Sequence, residues 1–225
     1  MRTKRLNASL LIETAIVTIV AILVIRFIGT GSVLKQTWFL APGILIAVAF
    51  VPTAITKRKF AGIGLDREQI SHSLVLLGWT CLTTFPLMVC GLWFMRYWGL
   101  ELPLRSVMPP AHGWFSWLLY QFMYIAVAEE IFFRGYVQNN ILKTIIAITQ
   151  EQRRLLQLQW ISIIISAACF ATAHVVIQGE IVSVLTFLPG LVLGWLFVRT
   201  GSLLAPILFH GLANVFYLSV AAMVV

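Results

Sequence analysis

The chain has 225 residues, of which 60% are hydrophobic and only 11% are charged. Soluble domains carry about 25% charged residues, so this sequence lacks the polar groups that would cover a water-soluble fold. The formal net charge is +8, but the basic residues lie in short clusters between apolar runs. The composition therefore excludes a soluble globular enzyme, a disordered chain and a nucleic-acid binder, and it indicates a multi-span membrane protein.

The apolar runs, taken in chain order, predict the helices. A helix needs about 20 apolar residues to cross roughly 30 Å of hydrocarbon. About seven runs fit this requirement: Ala8 to Ile28, Trp38 to Thr56, His72 to Met95, a long stretch from Trp114, Leu158 to Ile177, Ile181 to Val198, and Leu203 to Val225. The sequence alternation of a transmembrane barrel is absent. We therefore predict an all-α transmembrane bundle of about seven spans, forming a single membrane domain over residues 1–225.

The basic residues predict the orientation of the bundle. With alternating spans, eleven of them lie on the side of the N-terminus: Arg2, Lys4, Arg5, Lys57, Arg58, Lys59, Arg67, Lys143, Arg153, Arg154 and Arg199. Four lie on the opposite side: Arg26, Lys35, Arg96 and Arg105. Because cytoplasmic loops are enriched in Lys and Arg, this bias predicts a cytoplasmic N-terminus.

Three charged residues interrupt the fourth apolar run. Glu129 and Glu130 are adjacent, and Arg134 follows within the same stretch. Charges at membrane depth cost several kcal/mol, so a span that retains them usually has a function for them. Glu130 and Arg134 are four residues apart and are predicted to form an ion pair on one helix face. Glu129 points about 100° away and has no cation at the third or fourth following position, which leaves it available as a base. The structural alternative is that these charged residues lie at the water boundary, at the cytoplasmic end of the fourth span.

Two further segments carry polar side chains. His174 ends a segment of small residues, which allow a neighbouring helix to approach closely, and Phe170 lies one turn earlier. His210 and Asn214 are four residues apart and project from one face of the last helix. An imidazole and an amide aimed at one point can stabilise an oxyanion, although both can also serve as interhelical hydrogen-bonding groups.

Together, these positions supply a free carboxylate, an ion-paired carboxylate, two imidazoles and an amide. This set is suited to activating a water molecule and stabilising the tetrahedral intermediate of amide hydrolysis. The same residues allow a second interpretation, in which Glu129, His174 and His210 are the three ligands of a catalytic zinc ion. The usual HExxH zinc motif is absent from the sequence. Both interpretations remain open at this level.

The chain resembles the CPBP family, which includes the type II CAAX prenyl endopeptidases and their bacterial relatives. The matching motifs are EExxxR at Glu129, Glu130 and Arg134, FxxxH at Phe170 and His174, and HxxxN at His210 and Asn214. The resemblance extends from about Trp114 to Asn214 and places the catalytic helices at about residues 114–145, 158–177 and 203–225.

The resemblance implies a glutamic-type intramembrane endopeptidase that requires no cofactor, with zinc as the alternative. Glu129 with His174 would activate the water, while His210 and Asn214 would form the oxyanion hole. Glu130 with Arg134 would hold the site together. For Glu129 and His174 to meet, the fourth helix must continue to about Lys143, which we predict.

The expected surroundings are membrane lipid and a substrate that is a membrane-anchored protein or a hydrophobic peptide. The compact chain looks prokaryotic, which favours a cytoplasmic membrane. Two alternatives of other classes are a non-enzymatic immunity or scaffold protein and a proton-coupled transporter. The transporter is disfavoured because the sequence has no inverted repeat.

Overall fold

The computed structural model describes residues 2–30, 40–58, 67–99, 113–149 and 154–224. Within these ranges the chain forms helices and no strands, which confirms the predicted all-α class. The helices are α1 (Arg2–Thr30), α2 (Leu40–Ile55), α3 (Arg67–Tyr97), α4 (residues 114–149), α5 (Leu155–Gln178), α6 (Phe187–Thr200) and α7 (Leu204–Val224). Several predicted features lie outside the described residues: the span limits Trp38 and Val225 and the basic residues Lys35, Lys59, Arg105 and Arg153.

Four helical segments are long and apolar enough to cross a membrane. They are Ala8–Gly29, Glu68–Tyr97, Leu155–Gln178 and Ile181–Thr200, and the last of these joins a short 3₁₀ segment, Ile181–Thr186, to α6. Two shorter apolar helices, Leu40–Ile55 and Leu204–Val220, accompany them. The seven described helices are thus roughly consistent with the prediction of about seven spans.

Helix α4 is continuous but alternates between α-helical and π-helical turns. Its segments are Trp114–Leu119 (α), Tyr120–Ala126 (π), Val127–Glu130 (α), Ile131–Gln138 (π) and Asn139–Thr149 (α). The prediction that this helix continues past Arg134 to about Lys143 is therefore confirmed. Glu129 and Glu130 lie near its middle, in one α-helical turn between two π-helical segments. Such π turns are frequent at functional sites because they locally redirect side chains.

Helix α4 is also the centre of the bundle. Every residue of its second π segment, Ile131–Gln138, is buried. Helices α1 and α2 pack on one side of α4, α5 packs against it, and α7 contacts its first π segment. Helix α3 lies at the periphery, where it contacts α6 and α7. The charged residues in the middle of α4 are therefore surrounded by other helices.

Polar contacts at two levels establish the direction of α1. In its first half, Glu13 is ion-paired with Arg58, which follows α2, and accepts a hydrogen bond from Tyr136 Oη at 3.0 Å. Near its end, Arg26 Nη1 donates to the carbonyl oxygen of Ile177 on α5 at 3.2 Å. Helix α1 therefore runs antiparallel to α4 and parallel to α5, and its last turns lie beside the middle of α4.

Glycines on α6 allow it to approach α5 closely. A Cβ atom at Gly190 would lie 3.2 Å from the Cα and Cβ atoms of Ala167, and one at Gly194 would lie 3.1 Å from Ile163 Cγ2. Both contacts are tighter than ordinary van der Waals packing. The GxxxG spacing predicts a close helix contact inside the bundle, and this contact is present.

Gly211 marks the closest approach of α7 to α4. A Cβ atom there would overlap the ring of Phe122, so we expect Gly211→Ala to separate the two helices. Overpacking of this kind costs about 1–3 kcal/mol, which would appear as a lower free energy of unfolding in detergent. The matched control is Gly78→Ala on α3, where no atom lies within 4 Å and stability should be unchanged or higher. Equal stability of both variants would contradict the described α4–α7 packing.

Candidate active site

Glu130 and Arg134 form a buried ion pair, as their spacing predicts. Both side chains are fully buried, and Arg134 Nη1 donates to Glu130 Oε1 at 3.0 Å. Arg134 Nη2 donates to the carbonyl oxygen of Gly190 at 3.2 Å, and the guanidinium carbon lies 4.7 Å from the centre of the Phe170 ring. A buried charge is tolerated only when it is paired and hydrogen-bonded. These contacts pair both charges, while Glu130 Oε2 and Arg134 Nε have no hydrogen-bond partner among the described residues.

His210 on α7 contacts the same carboxyl group. Its Nδ1 atom lies 2.7 Å from Glu130 Oε1, and since that carboxylate is paired with Arg134, the Nδ1–H group is the donor. This hydrogen bond determines the orientation of the ring and directs Nε2 toward Glu129. His210 Nε2 lies 3.7 Å from Glu129 Oε2.

His174 on α5 is oriented by its own helix. Its Nδ1 atom lies 2.9 Å from the carbonyl oxygen of Phe170, and because a carbonyl oxygen only accepts, Nδ1 carries the hydrogen. In the neutral ring, Nε2 is then an acceptor. This Nε2 atom lies 3.9 Å from Glu129 Oε2. The Phe170 ring packs against both imidazoles, with ring centres 4.3 Å from His174 and 5.8 Å from His210.

Glu129 is thus the meeting point of three helices. Its Oε2 atom is buried and has no hydrogen-bond partner among the described residues. The two imidazole Nε2 atoms face this oxygen at 3.7 and 3.9 Å, which is too long for a direct hydrogen bond. The structure therefore brings together Glu129, His174 and His210, which are far apart in the sequence.

Asn214 lies one turn beyond His210 on α7 and also faces α4. Its Nδ2 atom donates to Gln121 Oε1 at 3.1 Å. Gln121 is a residue that the sequence analysis did not single out, although it is the only amide side chain between Trp114 and Glu129. An isolated amide in an apolar helix could have identified it, because such a group needs a partner inside a membrane bundle.

Gln138 is a second residue that the sequence analysis missed. It is fully buried, and its Nε2 atom donates to the carbonyl oxygen of Gly194 at 3.0 Å. Arg134 makes the equivalent contact with Gly190, so two polar residues four apart on α4 bind two glycine carbonyls four apart on α6. The spacing of Glu130, Arg134 and Gln138, four residues apart along one face of α4, could have identified Gln138.

The three candidate zinc ligands lie near one another, at separations longer than those between ligands bound to the same zinc ion. Ligand atoms of a tetrahedral zinc ion lie about 3.3 Å apart. The distances from Glu129 Oε2 to His174 Nε2 and His210 Nε2 are longer, at 3.9 and 3.7 Å. Within the described parts of the chain, no group of three or more His, Cys, Asp or Glu side chains has a geometry that could hold a metal ion.

Comparison with known proteins places these residues in a family. Residues 111–216 match the family described as type II CAAX prenyl endopeptidase Rce1-like. Comparisons with curated proteins and with solved structures give no match. The matched residues contain all three motifs and extend from the beginning of α4 into α7. The family and the four membrane-length helices together identify an integral membrane protein. Residues 111–216, just under half of the chain, therefore resemble the CPBP family of CAAX-type intramembrane proteases, as the three motifs predict.

Proposed function

We propose that the protein is an intramembrane endopeptidase that hydrolyses a peptide bond through a water molecule activated by Glu129. Its substrate is a membrane-anchored protein or a hydrophobic peptide. The observation that carries this proposal is the position of Glu129 Oε2, which faces the Nε2 atoms of His174 and His210 at 3.9 and 3.7 Å inside the bundle.

These separations suit a bridging water. Polar atoms more than about 3.5 Å apart are commonly linked by a water molecule. Glu129 as a carboxylate and His174 through Nε2 are both acceptors, so they would accept the two hydrogens of that water. Held in this way, the water directs a lone pair toward the substrate and has a base beside it.

Glu129 and the bound water can account for every proton transfer in the hydrolysis. The water oxygen attacks the scissile carbonyl carbon, one water proton passes to Glu129, and the carbonyl oxygen becomes an oxyanion. When the tetrahedral intermediate collapses, the C–N bond breaks and the proton on Glu129 passes to the leaving nitrogen. The products are a carboxylic acid, which ionises, and an amine, and Glu129 returns to its starting state.

His210 and Asn214 are the proposed donors to the oxyanion. The site holds two carboxyl groups, Glu129 and Glu130, and one guanidinium, so a protonated His210 balances the charge. Its Nδ1–H group is engaged with Glu130, which leaves Nε2–H for the oxyanion. Asn214 Nδ2 has a second hydrogen besides the one donated to Gln121. Gln121 thus acts as a positioning residue for Asn214.

We also propose that the protein lies in a prokaryotic cytoplasmic membrane with its N-terminus inside. The described basic residues near helix ends support this orientation because most of them lie at one end of the bundle: Arg58, Lys143, Arg154 and Arg199, against Arg26 and Arg96 at the other end. The end with Arg58 is the one at which α1 begins, since Arg58 pairs with Glu13.

The experiment that tests the proposed function is peptide cleavage by the purified protein in vesicles of phosphatidylethanolamine and phosphatidylglycerol. The substrate is a library of membrane-tethered peptides, and mass spectrometry identifies the cleaved bonds. We expect cleavage at a rate that a zinc chelator leaves unchanged, with zinc well below one equivalent per protein. Stoichiometric zinc whose removal abolishes turnover would overturn the glutamate-only mechanism and make Glu129, His174 and His210 its ligands. Absence of any cleavage would overturn the proposed function.

A further inference from the structure

A cavity of about 220 Å³ adjoins the proposed site. It lies between α1, α2, α4 and α5, and both Glu129 and His174 contribute to its lining. A group that fills this cavity would therefore lie directly beside the activated water. Only a part of the substrate that is close to the cleaved bond can reach it in this position.

The walls contributed by α1 and α2 are apolar. They consist of Ile22 and Ile25 from α1 and of Ala41, Pro42 and Leu45 from α2. None of these side chains carries a charge or a hydrogen-bonding group, so the surface favours an apolar occupant. Ala41 has the smallest side chain among them and is only partly buried.

The size of the cavity indicates what fits. An apolar cavity of about 150 Å³ holds a molecule as large as benzene. The cavity here is somewhat larger and has room for one large apolar side chain, such as Leu, Met or Phe. A prenyl chain is much larger than a benzene ring and would extend beyond this volume.

We propose that this cavity is a specificity subsite for one large apolar side chain of the substrate, at a residue adjoining the cleaved bond, and that Ala41 limits its size. This inference rests on the proposed function. Helices α1 and α2 lie outside residues 111–216, the part that matches the family. The matched part thus supplies the reacting groups and one side of the cavity, and the unmatched part completes the surface that selects the substrate.

The test is the sequence preference of the Ala41→Phe variant on a library of membrane-tethered peptides. Each peptide carries Ala, Leu, Phe or Trp at the positions flanking the cleaved bond, with and without a prenyl chain. A phenyl ring at position 41 would occupy part of the cavity. We expect kcat/KM for peptides with Leu or Phe to fall about tenfold or more, while that for peptides with Ala changes by less than about twofold.

The matched control is Ala47→Phe, which adds the same group to an exposed position of α2. It should retain the preference of the wild type. Leu45→Ala provides a change in the opposite direction, because it enlarges the cavity and should raise the rate for Trp relative to Leu. The two cavity variants together distinguish altered selectivity from a general loss of folding.

Three results would overturn the subsite. The first is that Ala41→Phe lowers kcat/KM equally for peptides with Ala and for peptides with Leu, and that Leu45→Ala leaves the rate for Trp relative to Leu unchanged. The second is a loss confined to prenylated peptides whatever their side chains, which would make the cavity a lipid site. The third is a wild-type protein that cleaves no peptide, and this result alone would also remove the proposed function.

Discussion

Replacement of Glu129 by Gln is expected to abolish peptide hydrolysis without unfolding the protein. Gln has the same shape as Glu but cannot accept a proton from water at neutral pH. A positioned general base contributes about 10²- to 10⁴-fold to a rate, so kcat should fall by about that factor. The free energy of unfolding should change little, because Glu129 Oε2 has no hydrogen-bond partner among the described residues. The measurement is kcat in vesicles, with thermal unfolding of the same preparations.

The matched control is Glu68→Gln, the same chemical change at an exposed residue near the beginning of α3. It should leave both kcat and stability at wild-type values. Retention of cleavage by Glu129→Gln would mean that Glu129 is not the base. A biological activity that survives Glu129→Gln but is lost in Glu130→Ala or Arg134→Ala would favour a non-enzymatic scaffold, in which the ion pair is needed only to hold the helices.

Arg134→Met should produce the largest loss of stability among single substitutions in the site. It leaves Glu130 fully buried without the guanidinium and removes the hydrogen bond to the Gly190 carbonyl. Breaking a buried ion pair on one side costs about 3–5 kcal/mol, because the remaining charge is uncompensated. The expected result is a lower free energy of unfolding in detergent by about this amount, together with loss of activity.

Two companion variants test the cause of that loss. In Glu130→Leu combined with Arg134→Met, no uncompensated carboxylate remains, so part of the stability should return. Activity should not return, because His210 Nδ1 has lost its acceptor. Arg199→Met removes an exposed guanidinium from α6 and should change stability by about 0.5 kcal/mol or less. If Arg134→Met were as stable as Arg199→Met, the buried pair would not contribute as described.

The features that local spacing controls were predicted well. The ion pair of Glu130 and Arg134 follows from a separation of four residues on one helix. The continuation of α4 beyond Arg134 follows from the apolar residues after it, and the close contact at Gly190 follows from the GxxxG spacing. Each of these depends on residues within one helix or on the small size of a side chain.

The roles of Gln121 and Gln138 could not be assigned in the same way. Each hydrogen bond joins α4 to a helix that is more than fifty residues away in the chain, either to Asn214 on α7 or to the Gly194 carbonyl on α6. Sequence spacing contains no information on the rotation or depth of one helix relative to another. The cavity is even harder to predict from sequence spacing, because its walls come from four helices.

The sequence by itself determined the membrane class, the approximate number and limits of the helices, and the residues with ionisable groups in apolar surroundings. The reason is that the hydrocarbon thickness and the helical repeat impose regular patterns on the chain. Only the tertiary structure decided that Glu129 faces both His174 and His210, that His210 is oriented by Glu130, and that α1 and α2 complete an apolar cavity beside them. These relations depend on how side chains of different helices interlock, which is a property of the whole packed bundle.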